Sequence, residues 1–421
     1  MTEFDVIVVG GGPGGSTATS FLAKAGKKVL LLEKASFPRD KTCGDAISGK
    51  SLAVLKELGL EHIVEESPHG TVSGVLFSSP KGSSVIIPFG QETSSIRQGY
   101  CCRRLVYDNI LFENTRKTSA VIKENFIVSS VIQENGFVVG VRGTNQEKQE
   151  EEFRAKLVIG ADGFNSIVAA GTNSNSLPED HWCVACRAYY KGVKGNGSNI
   201  ELHFINEVLP GYFWIFPMEN GIANVGVGMI KTDMIKNKVN LKQVMLDAIK
   251  NNELFKERFS EAFIVDPSTG QKLDSNAVKG WNLSFGSFHR KAYGNGFMLV
   301  GDAASLVDPF TGEGIGNAML SGKIAAKTAI NALSEGNYSE EFLKSYDTEL
   351  WSLIAGELDT SYKLQRLGKH TFLVNLIIAK AARNKELREV LAGMMVNEEA
   401  KKSFLSPMFY VRFLLSRPWL P

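Results

Sequence analysis

The feature that most constrains the fold is a glycine-rich turn between a short apolar strand and a helix. The turn is GGGPGG at residues 10–15; it follows an apolar run at 5–9 and precedes residues 16–25, whose composition is helical. A second apolar run at 27–33 closes a strand–helix–strand unit of about 30 residues. A G-x-G-x-x-G spacing at this place predicts a dinucleotide-binding unit.

Each glycine of the turn has a separate physical task. The first permits the tight turn, the second lets the backbone approach a pyrophosphate, and the third packs the helix against the strand. The helix then meets the phosphates with its unpaired N–H groups and positive dipole end. Glu33, at the end of the second strand, is expected to accept hydrogen bonds from the adenosine ribose. The predicted cofactor-binding residues of this unit are Gly10, Gly12, Pro13, Gly14, Gly15, Glu33 and Lys34.

Composition limits the partners and the compartment. The 421 residues are 43% hydrophobic and 22% charged, which suits two or three structural regions. With 47 basic and 45 acidic side chains, the chain has no electrostatic reason to bind nucleic acid. Five scattered cysteines, no secretory signal and no apolar stretch of the ~18 residues that a spanning helix needs predict a cytoplasmic protein, soluble or lying on a membrane surface. The six histidines are not clustered, so no metal site is predicted.

The sequence pattern changes along the chain in a way that predicts an insertion. From residue 71, and again between 182 and 288, short segments typical of antiparallel strands replace the parallel pattern, with one helix predicted at 241–259. The predicted fold class is α/β, with three regions. These are a Rossmann-type FAD-binding domain (1–70, 101–170 and 289–335), an inserted antiparallel-sheet substrate domain (71–100 and 171–288) and a C-terminal helical region (336–421).

Two further segments indicate which dinucleotide is bound. IGADGFNS at 159–166 and GDAASLVDP at 301–309 each follow a buried strand, and the glycine turn GEGIGNA follows at 312–318. Through these segments the chain resembles the flavoprotein superfamily of aromatic-ring hydroxylases and geranylgeranyl reductases. The resemblance implies that Asp302 hydrogen-bonds the ribitol of FAD and that residues 312–315 approach the isoalloxazine. Because NAD has no ribitol, FAD is the predicted cofactor.

The same resemblance assigns the other cofactor-binding residues. It implies that Asp162 and Gly163 contribute to dinucleotide binding and to the domain junction, although a simple turn is the alternative interpretation. It also implies that Arg104 lies near the cofactor, with Arg103 or a solvated helix-terminal charge as alternatives. The remaining residues that it implies are Cys43, Gly301, Pro309, Gly312, Gly314 and Ile315.

Two segments narrow the resemblance to the geranylgeranyl reductase branch. They are FPRDKTCGD at 37–45 and GYFWIFP at 211–217. Tyr212, Trp214 and Phe216 alternate, so in a strand they face one side, where they either wall an apolar substrate chamber or belong to the core. Cys43 is either a thiol that shapes substrate access or donates a proton, or a small core residue. Cys43, Tyr212 and Trp214 are the candidate catalytic residues.

The resemblance implies an FAD-dependent oxidoreductase that reduces carbon–carbon double bonds of an isoprenoid or other apolar substrate. A flavin-dependent aromatic monooxygenase is the alternative, followed by a halogenase, and the fold alone does not choose among them. The expected partners are an apolar or lipid substrate and an electron donor, either NAD(P)H or a ferredoxin-like protein. Apolar stretches at 372–378 and 408–415 suit either peripheral membrane contact or capping of the substrate domain.

Overall fold

The computed structural model of the chain describes residues 3–89, 99–385, 387, 388 and 391. In chain order the strands are β1 (Glu3–Val9), β2 (Val29–Leu32), β3 (Ala46–Ile47), β4 (Gly70–Val72), β5 (Gly74–Ser78), β6 (Ser84–Pro88), β7 (Gly99–Cys101), β8 (Val121–Lys123), β9 (Ile127–Glu134), β10 (Phe137–Thr144), β11 (Glu150–Gly160), β12 (Trp182–Lys191), β13 (Asn199–His203), β14 (Phe213–Pro217), β15 (Ile222–Ile230), β16 (Phe263–Ile264), β17 (Lys279–Ser284), β18 (Tyr293–Gly294) and β19 (Phe297–Leu299). The helices are α1 (Pro13–Lys24), α2 (Gly49–Leu58), α3 (Glu61–Glu66), α4 (Arg104–Arg116), α5 (Ile167–Gly171), α6 (Lys231–Lys236), α7 (Leu241–Asn251), α8 (Ile315–Glu335), α9 (Glu340–Leu367) and α10 (Thr371–Ala381).

The first sheet has the strand order β18-β19-β11-β1-β2-β8, and β9 and β10 extend it from β11. The pairs from β19 to β8 are parallel. Residues of β1 and β2 are buried almost without alternation, as expected for a parallel sheet covered on both faces. The strand–helix–strand unit predicted from the sequence is therefore present.

Helices α1 and α8 approach each other closely beside this sheet. Helix α1 begins at Pro13, earlier than predicted, because proline suits the first helical position. A Cβ added to Gly322 of α8 would lie 2.3 Å from the carbonyl oxygen of Gly14. Helix α9 is tied to the sheet by Tyr346, whose buried hydroxyl donates to the Leu299 carbonyl at 2.6 Å.

The second sheet has the order β16-β12-β15-β14-β13-β5-β6, with β17 also paired to β12. Its pairs are antiparallel except β13 with β5. It takes its strands from residues 74–88 and 182–284, which lie between the segments that build the first sheet. A small third sheet joins β3, β7 and β4. The α/β class is as predicted, and the domain boundaries given above stay a prediction.

The single helix predicted at 241–259 is wrong in its extent. Helix α7 ends at Asn251, and Asn252 has extended backbone angles. The Asn252 side chain accepts a hydrogen bond from the Leu254 N–H at 3.0 Å. Asparagine side chains compete with the helical backbone in this way, and the helix ends where they do so.

The C-terminal region is helical as far as the structure describes it. Val374 and Ile378 of α10 are buried in one apolar cluster with residues of the second sheet, whereas Phe372 on the same helix is 73% exposed. The predicted apolar stretch at 408–415 lies outside the described residues. Within the described part of the chain, every helix is too short or too polar to cross a bilayer.

Replacing Gly322 with alanine tests the close contact between α1 and α8. Alanine favours a helix over glycine, so a gain in stability is expected unless the contact dominates. We expect Gly322→Ala to lower the free energy of unfolding by about 1–3 kcal/mol, because the new methyl group meets backbone. Chemical denaturation measures the change, and the exposed Asn331→Ala in the same helix is the control, expected within ~0.5 kcal/mol of the parent. Equal free energies of unfolding for Gly322→Ala and Asn331→Ala would contradict a close contact between α1 and α8 at Gly322.

Candidate active site

The glycine turn joins β1 to α1, and at Gly10 and Gly15 it has no room for a side chain. Gly10 has φ of 101°, and a Cβ there would lie 2.4 Å from the Ala161 carbonyl oxygen. A Cβ on Gly15 would lie 1.8 Å from the Gly10 carbonyl oxygen. The turn leads into the first helical residue, Pro13, so the N–H groups of the first helical turn lack intrahelical acceptors. Such a helix start favours a phosphate.

Glu33 holds the turn from the neighbouring strand end. Its buried carboxylate accepts hydrogen bonds from the Gly11 N–H at 2.7 Å and the Ala35 N–H at 2.9 Å. A carboxylate accepts about four hydrogen bonds, so capacity for ribose hydroxyls is left. Lys34 beside it is exposed, and its part in cofactor binding stays a prediction.

Asp302 lies where the first sheet meets the second glycine turn. It is in the short 3-10 turn Gly301–Ala304 directly after β19. Its carboxylate is 3.4 Å from Lys41 Nζ, and a Cβ on Gly314 would be 3.7 Å from its Oδ1. The predicted ribitol-binding acid and the predicted isoalloxazine-binding turn are therefore neighbours.

The turn before α8 is fixed by side chains from three directions. Asp308 Oδ1 accepts from the N–H groups of Phe310 and Thr311 at 2.9 and 2.8 Å. The Tyr212 hydroxyl donates to the Thr311 carbonyl at 2.5 Å, and Gln365 donates to the carbonyl of Pro309. Gly312 has φ of 73° and Ile315 starts the helix, so the backbone shape of this turn is set before any ligand binds.

The Asp162 carboxylate accepts hydrogen bonds from other residues of the protein. One oxygen accepts from the Ser166 hydroxyl and the other from the Ile167 N–H, both at 2.6 Å, which stabilises the start of α5. Gly163 follows with φ of 80°. Any contact of this segment with the dinucleotide stays a prediction, and the helix-capping role is one that the sequence did not indicate.

A buried chain of charges runs from the first glycine turn to Cys43. Asp108 on α4 is fully buried and accepts from Arg104 at 2.5 and 2.7 Å and from Arg39 at 2.6 Å. A Cβ on Gly12 would lie 3.6 Å from Arg39. Burial alone would raise the pKa of Asp108, but the guanidinium groups of Arg104 and Arg39 hold it below its ordinary value.

Arg103 and Arg104 are the two arginines proposed for the cofactor, and of these Arg104 pairs with Asp108. Arg103 turns the other way and pairs with Glu219 at 2.5 Å and with the Ser268 hydroxyl at 3.0 Å. Burial raises the pKa of the Cys43 thiol, while the nearby Arg104 charge acts in the opposite sense.

A cavity of about 670 Å³ lies between the Cys43 turn, the turn before α8 and the second sheet. The three aromatic residues Tyr212, Trp214 and Phe216 all line it, with ring centroids 6.3 and 6.2 Å apart along the row. They also belong to an apolar cluster, as the core interpretation predicts, and their contact with a substrate stays a prediction. Aliphatic side chains complete the far wall: Val75, Ile200, Leu202, Met229, Ile230 and Leu283.

One side of the cavity is polar. Lys50 donates to Asn317 at 2.9 Å and to Glu357 at 2.6 Å. Glu313 accepts from the Ser48 hydroxyl at 3.1 Å, and burial raises the pKa of this carboxyl against the opposing charge of Lys50. The cavity thus suits a long apolar molecule that carries a polar end.

Known proteins resemble this chain in sequence and fold. The FAD binding domain family matches residues 3–356. The digeranylgeranylglycerophospholipid reductase of Methanosarcina acetivorans is 34% identical over 364 residues, covering 85% of this chain and 83% of that protein. The chain belongs to the digeranylgeranylglycerophospholipid reductase family. The predicted membership of the geranylgeranyl reductase branch is confirmed.

Solved structures of this family and of other flavoproteins share the fold. A geranylgeranyl bacteriochlorophyll reductase-like protein of Thermoplasma acidophilum is 26% identical, with a TM-score of 0.80 over 96% of this chain and 99% of that one. A flavin-dependent brominase is 21% identical, with a TM-score of 0.74 over 98% and 99% of the two chains. The second likeness is one of fold alone. The Rossmann-type FAD-binding fold is confirmed, and the family is one of FAD-dependent oxidoreductases.

FAD fits the residues that this reductase-family chain brings together. The glycines of the turn at residues 10–15 leave space at a helix N-terminus, as a pyrophosphate requires. Asp302 places a carboxylate beside the second glycine turn, as a polyol chain next to a flavin ring requires.

Several residues of the site were not identified from the sequence. Arg39 and Asp45 lie within the segment 37–45, and Asp108 lies one helical turn after Arg104, so a charge near a recognised motif was the available signal. Asn224, inside the apolar strand β15, offered no signal, because its contacts depend on which strands pair.

Replacing Asp108 with asparagine tests the buried chain of charges. We expect Asp108→Asn to lower the free energy of unfolding by about 3 kcal/mol, because the buried Arg104 and the partly buried Arg39 lose their shared counter-charge. Since the folded-state pKa of Asp108 is lowered, its contribution is present above the ordinary carboxyl pKa and is lost as the pH falls through the folded value. The variant should therefore lose stability less steeply in acid. Denaturation at several pH values measures both effects.

Glu113→Gln on the same helix is the matched control. Glu113 is 48% exposed and pairs only with a surface arginine, so the loss should stay below ~0.5 kcal/mol. If Asp108→Asn and Glu113→Gln unfold at the same midpoint, the buried charge of Asp108 does not stabilise the fold around the site.

Proposed function

We propose that this protein is an FAD-dependent reductase that saturates carbon–carbon double bonds in the isoprenoid chains of a glycerophospholipid or a similar prenyl lipid. The observation that carries the proposal is the cavity, which has an aromatic and aliphatic wall, a polar side and the turn before α8 in one enclosure. The names of the related reductases support the same substrate class.

We propose the following residues for the cofactor. Residues 10–15 hold the pyrophosphate, Glu33 the ribose, Asp302 the ribitol, and residues 312–315 the isoalloxazine. When bound and reduced, the flavin supplies a hydride to one alkene carbon. The protein must then exclude water, orient the chain and deliver a proton to the neighbouring carbon.

The chain's own residues suit these tasks. Tyr212 and Trp214 wall the cavity with apolar ring faces while their polar atoms are bonded elsewhere, to Thr311 and Asn224. Cys43 lines the same cavity, and because burial raises its pKa, its thiol stays protonated at neutral pH. We propose that this thiol, which lines the cavity and holds its proton, supplies that proton to the second carbon.

The electron donor is either NAD(P)H or a ferredoxin-like protein. Reaction of the oxidised enzyme with each, followed as loss of flavin absorbance under argon, separates the two.

Product mass under anaerobic conditions tests the proposed reaction. We expect the reduced enzyme, incubated without oxygen with a digeranylgeranyl lipid, to add one pair of hydrogens for each double bond reduced. Mass spectrometry of the extracted lipid measures the gain. An enzyme with the cavity narrowed by Gly44→Leu is the control, since a Cβ on Gly44 already lies 3.0 Å from the Phe216 ring. Products that gain oxygen only in air would overturn the reductase assignment.

We propose further that the lipid enters from a membrane surface beside α9. Leu353 of α9 lines the cavity and is 58% exposed, so this leucine borders both the apolar chamber and the solvent. Flotation with anionic and neutral vesicles tests this entry. We expect Leu353→Ser to weaken vesicle binding about tenfold, equivalent to ~1.4 kcal/mol, because one apolar side chain is lost from the contact.

Ile127→Ser is the matched control for this experiment. Ile127 is equally exposed, at 57%, but belongs to β9 of the first sheet. Equal effects of the two substitutions, or none from Leu353→Ser, would place the entry elsewhere.

A further inference from the structure

Asp45 is a buried acid beside the reaction cavity with no part in the function described so far. It follows Cys43 by two residues, has φ of 68° and is completely buried. It nevertheless lines the cavity together with Cys43 and Gly44. A non-glycine residue in the left-handed region needs support from its surroundings.

That support comes from a hydrogen-bond network on one of the two carboxyl oxygens. Asp45 Oδ2 accepts from the Tyr189 hydroxyl at 2.6 Å and from Asn224 Nδ2 at 2.8 Å. The second hydrogen of Asn224 Nδ2 goes to the Cys43 carbonyl at 2.7 Å, and its Oδ1 accepts from Trp214 Nε1 at 2.9 Å. Asn224 therefore ties the carboxyl, the cysteine backbone and the cavity wall into one unit.

The other carboxyl oxygen is different. Asp45 Oδ1 is buried and has no hydrogen-bond partner among the described residues. A buried carboxylate oxygen without a donor is costly, whereas a protonated one is neutral. The unpartnered oxygen is thus the natural place for a proton.

The surroundings of Asp45 shift its titration toward the neutral acid. Burial raises the pKa of Asp45 to about 6, against the opposing charge of Arg187 and the hydrogen bonds from Tyr189 and Asn224. The charged and titratable groups that face Asp45 come from β12, the loop after β2, the cysteine turn and β7: Arg187, Tyr189, Asp40, Cys43, Cys101 and Cys102. The Asp45 charge in turn raises the pKa of the Cys43 thiol, so the two acids are electrostatically linked.

We propose that Asp45 is a positioning residue that fixes the Cys43 turn and stores the proton that reloads the Cys43 thiol. The proposal rests on the proposed function. A C–H bond forms at the alkene carbon that does not receive the hydride, and the Cys43 S–H bond breaks. Because Asp45 Oδ1 has no partner among the described residues, a water molecule in the cavity passes the proton of the Asp45 O–H to the Cys43 sulfur, where the S–H bond re-forms, and Asp45 regains a proton from solvent. The electron pair comes with the hydride of the reduced flavin, so the balance is complete.

Asp45→Asn removes the stored proton and little else. The amide oxygen keeps the acceptor for Tyr189 and Asn224, but the side chain carries no acidic proton. We expect kcat to fall about 10²-fold, with KM for the lipid little changed, because an acid is lost and the cavity is kept. In the parent, kcat should fall as the pH rises through about 6, since the protonated form is needed. The pH profile of Asp45→Asn should lack this fall in kcat.

Tyr189→Phe is the discriminating second variant. Removing a hydrogen bond that stabilises the carboxylate should move the descending limb of kcat to higher pH while the acid remains. If Asp45 and Tyr189 have only a structural role, kcat should fall equally at every pH and its descending limb should not move. Flavin absorbance and the unfolding midpoint establish that each variant is folded, and Tyr189→Phe carries the test if Asp45→Asn does not fold.

Difference infrared spectra of the enzyme without substrate give a readout that does not depend on turnover. We expect the carbonyl stretch of a protonated carboxyl to titrate near pH 6 in the parent, at higher pH in Tyr189→Phe, and to be missing in Asp45→Asn. That pattern supports the proton assignment even where no prenyl lipid is reduced, so failure of the proposed function is distinguishable. A parent rate and pH limb retained in Asp45→Asn, or no titrating band in the parent, would overturn the proposal.

Discussion

The buried contact of Asp108 with two arginines is the constraint on which the site depends. One carboxylate on α4 fixes Arg39 next to the first glycine turn and Arg104 next to Cys43. A buried charge of this kind is stable only when its partners are complete. One electrostatic unit, which neither sheet provides alone, therefore joins the proposed dinucleotide site to the proposed reaction site.

The cavity belongs to the seam between the two sheets. Its floor comes from the turn before α8, its wall from β14 and β15, and its edge from the segment between β2 and α2. The Tyr212 hydroxyl bonds the Thr311 carbonyl across this seam, and Asn224 bonds the Cys43 carbonyl. Each contact joins segments far apart in sequence, so the inserted strands build the site as well as enclose it.

Sequence motifs predicted those site residues that lie within one short segment of the chain. The other site residues meet only through the register of paired strands. The glycine turn, Glu33 and Asp302 follow strands of the first sheet directly, so motif and neighbouring strand are enough to find them. Tyr189 and Asn224 meet Asp45 because they are opposite each other in the pairing of β12 with β15. No spacing within either strand reveals that pairing. The helix predicted to 259 was wrong for a similar reason, since the Asn252 side chain, rather than an apolar period, decides its end.

The apolar lining links the proposed substrate class to the acids beside it. A wall of aromatic and aliphatic side chains suits a hydrocarbon, because contact with it removes apolar surface from water. Burial beside the same wall disfavours charge, which raises the pKa of both the Cys43 thiol and the Asp45 carboxyl. The Asp45 carboxyl, with a pKa of about 6, therefore keeps its proton to a higher pH than an exposed aspartate does. In a more polar chamber the pKa of this carboxyl would be lower, and a smaller fraction of the molecules would hold the proton at a given pH.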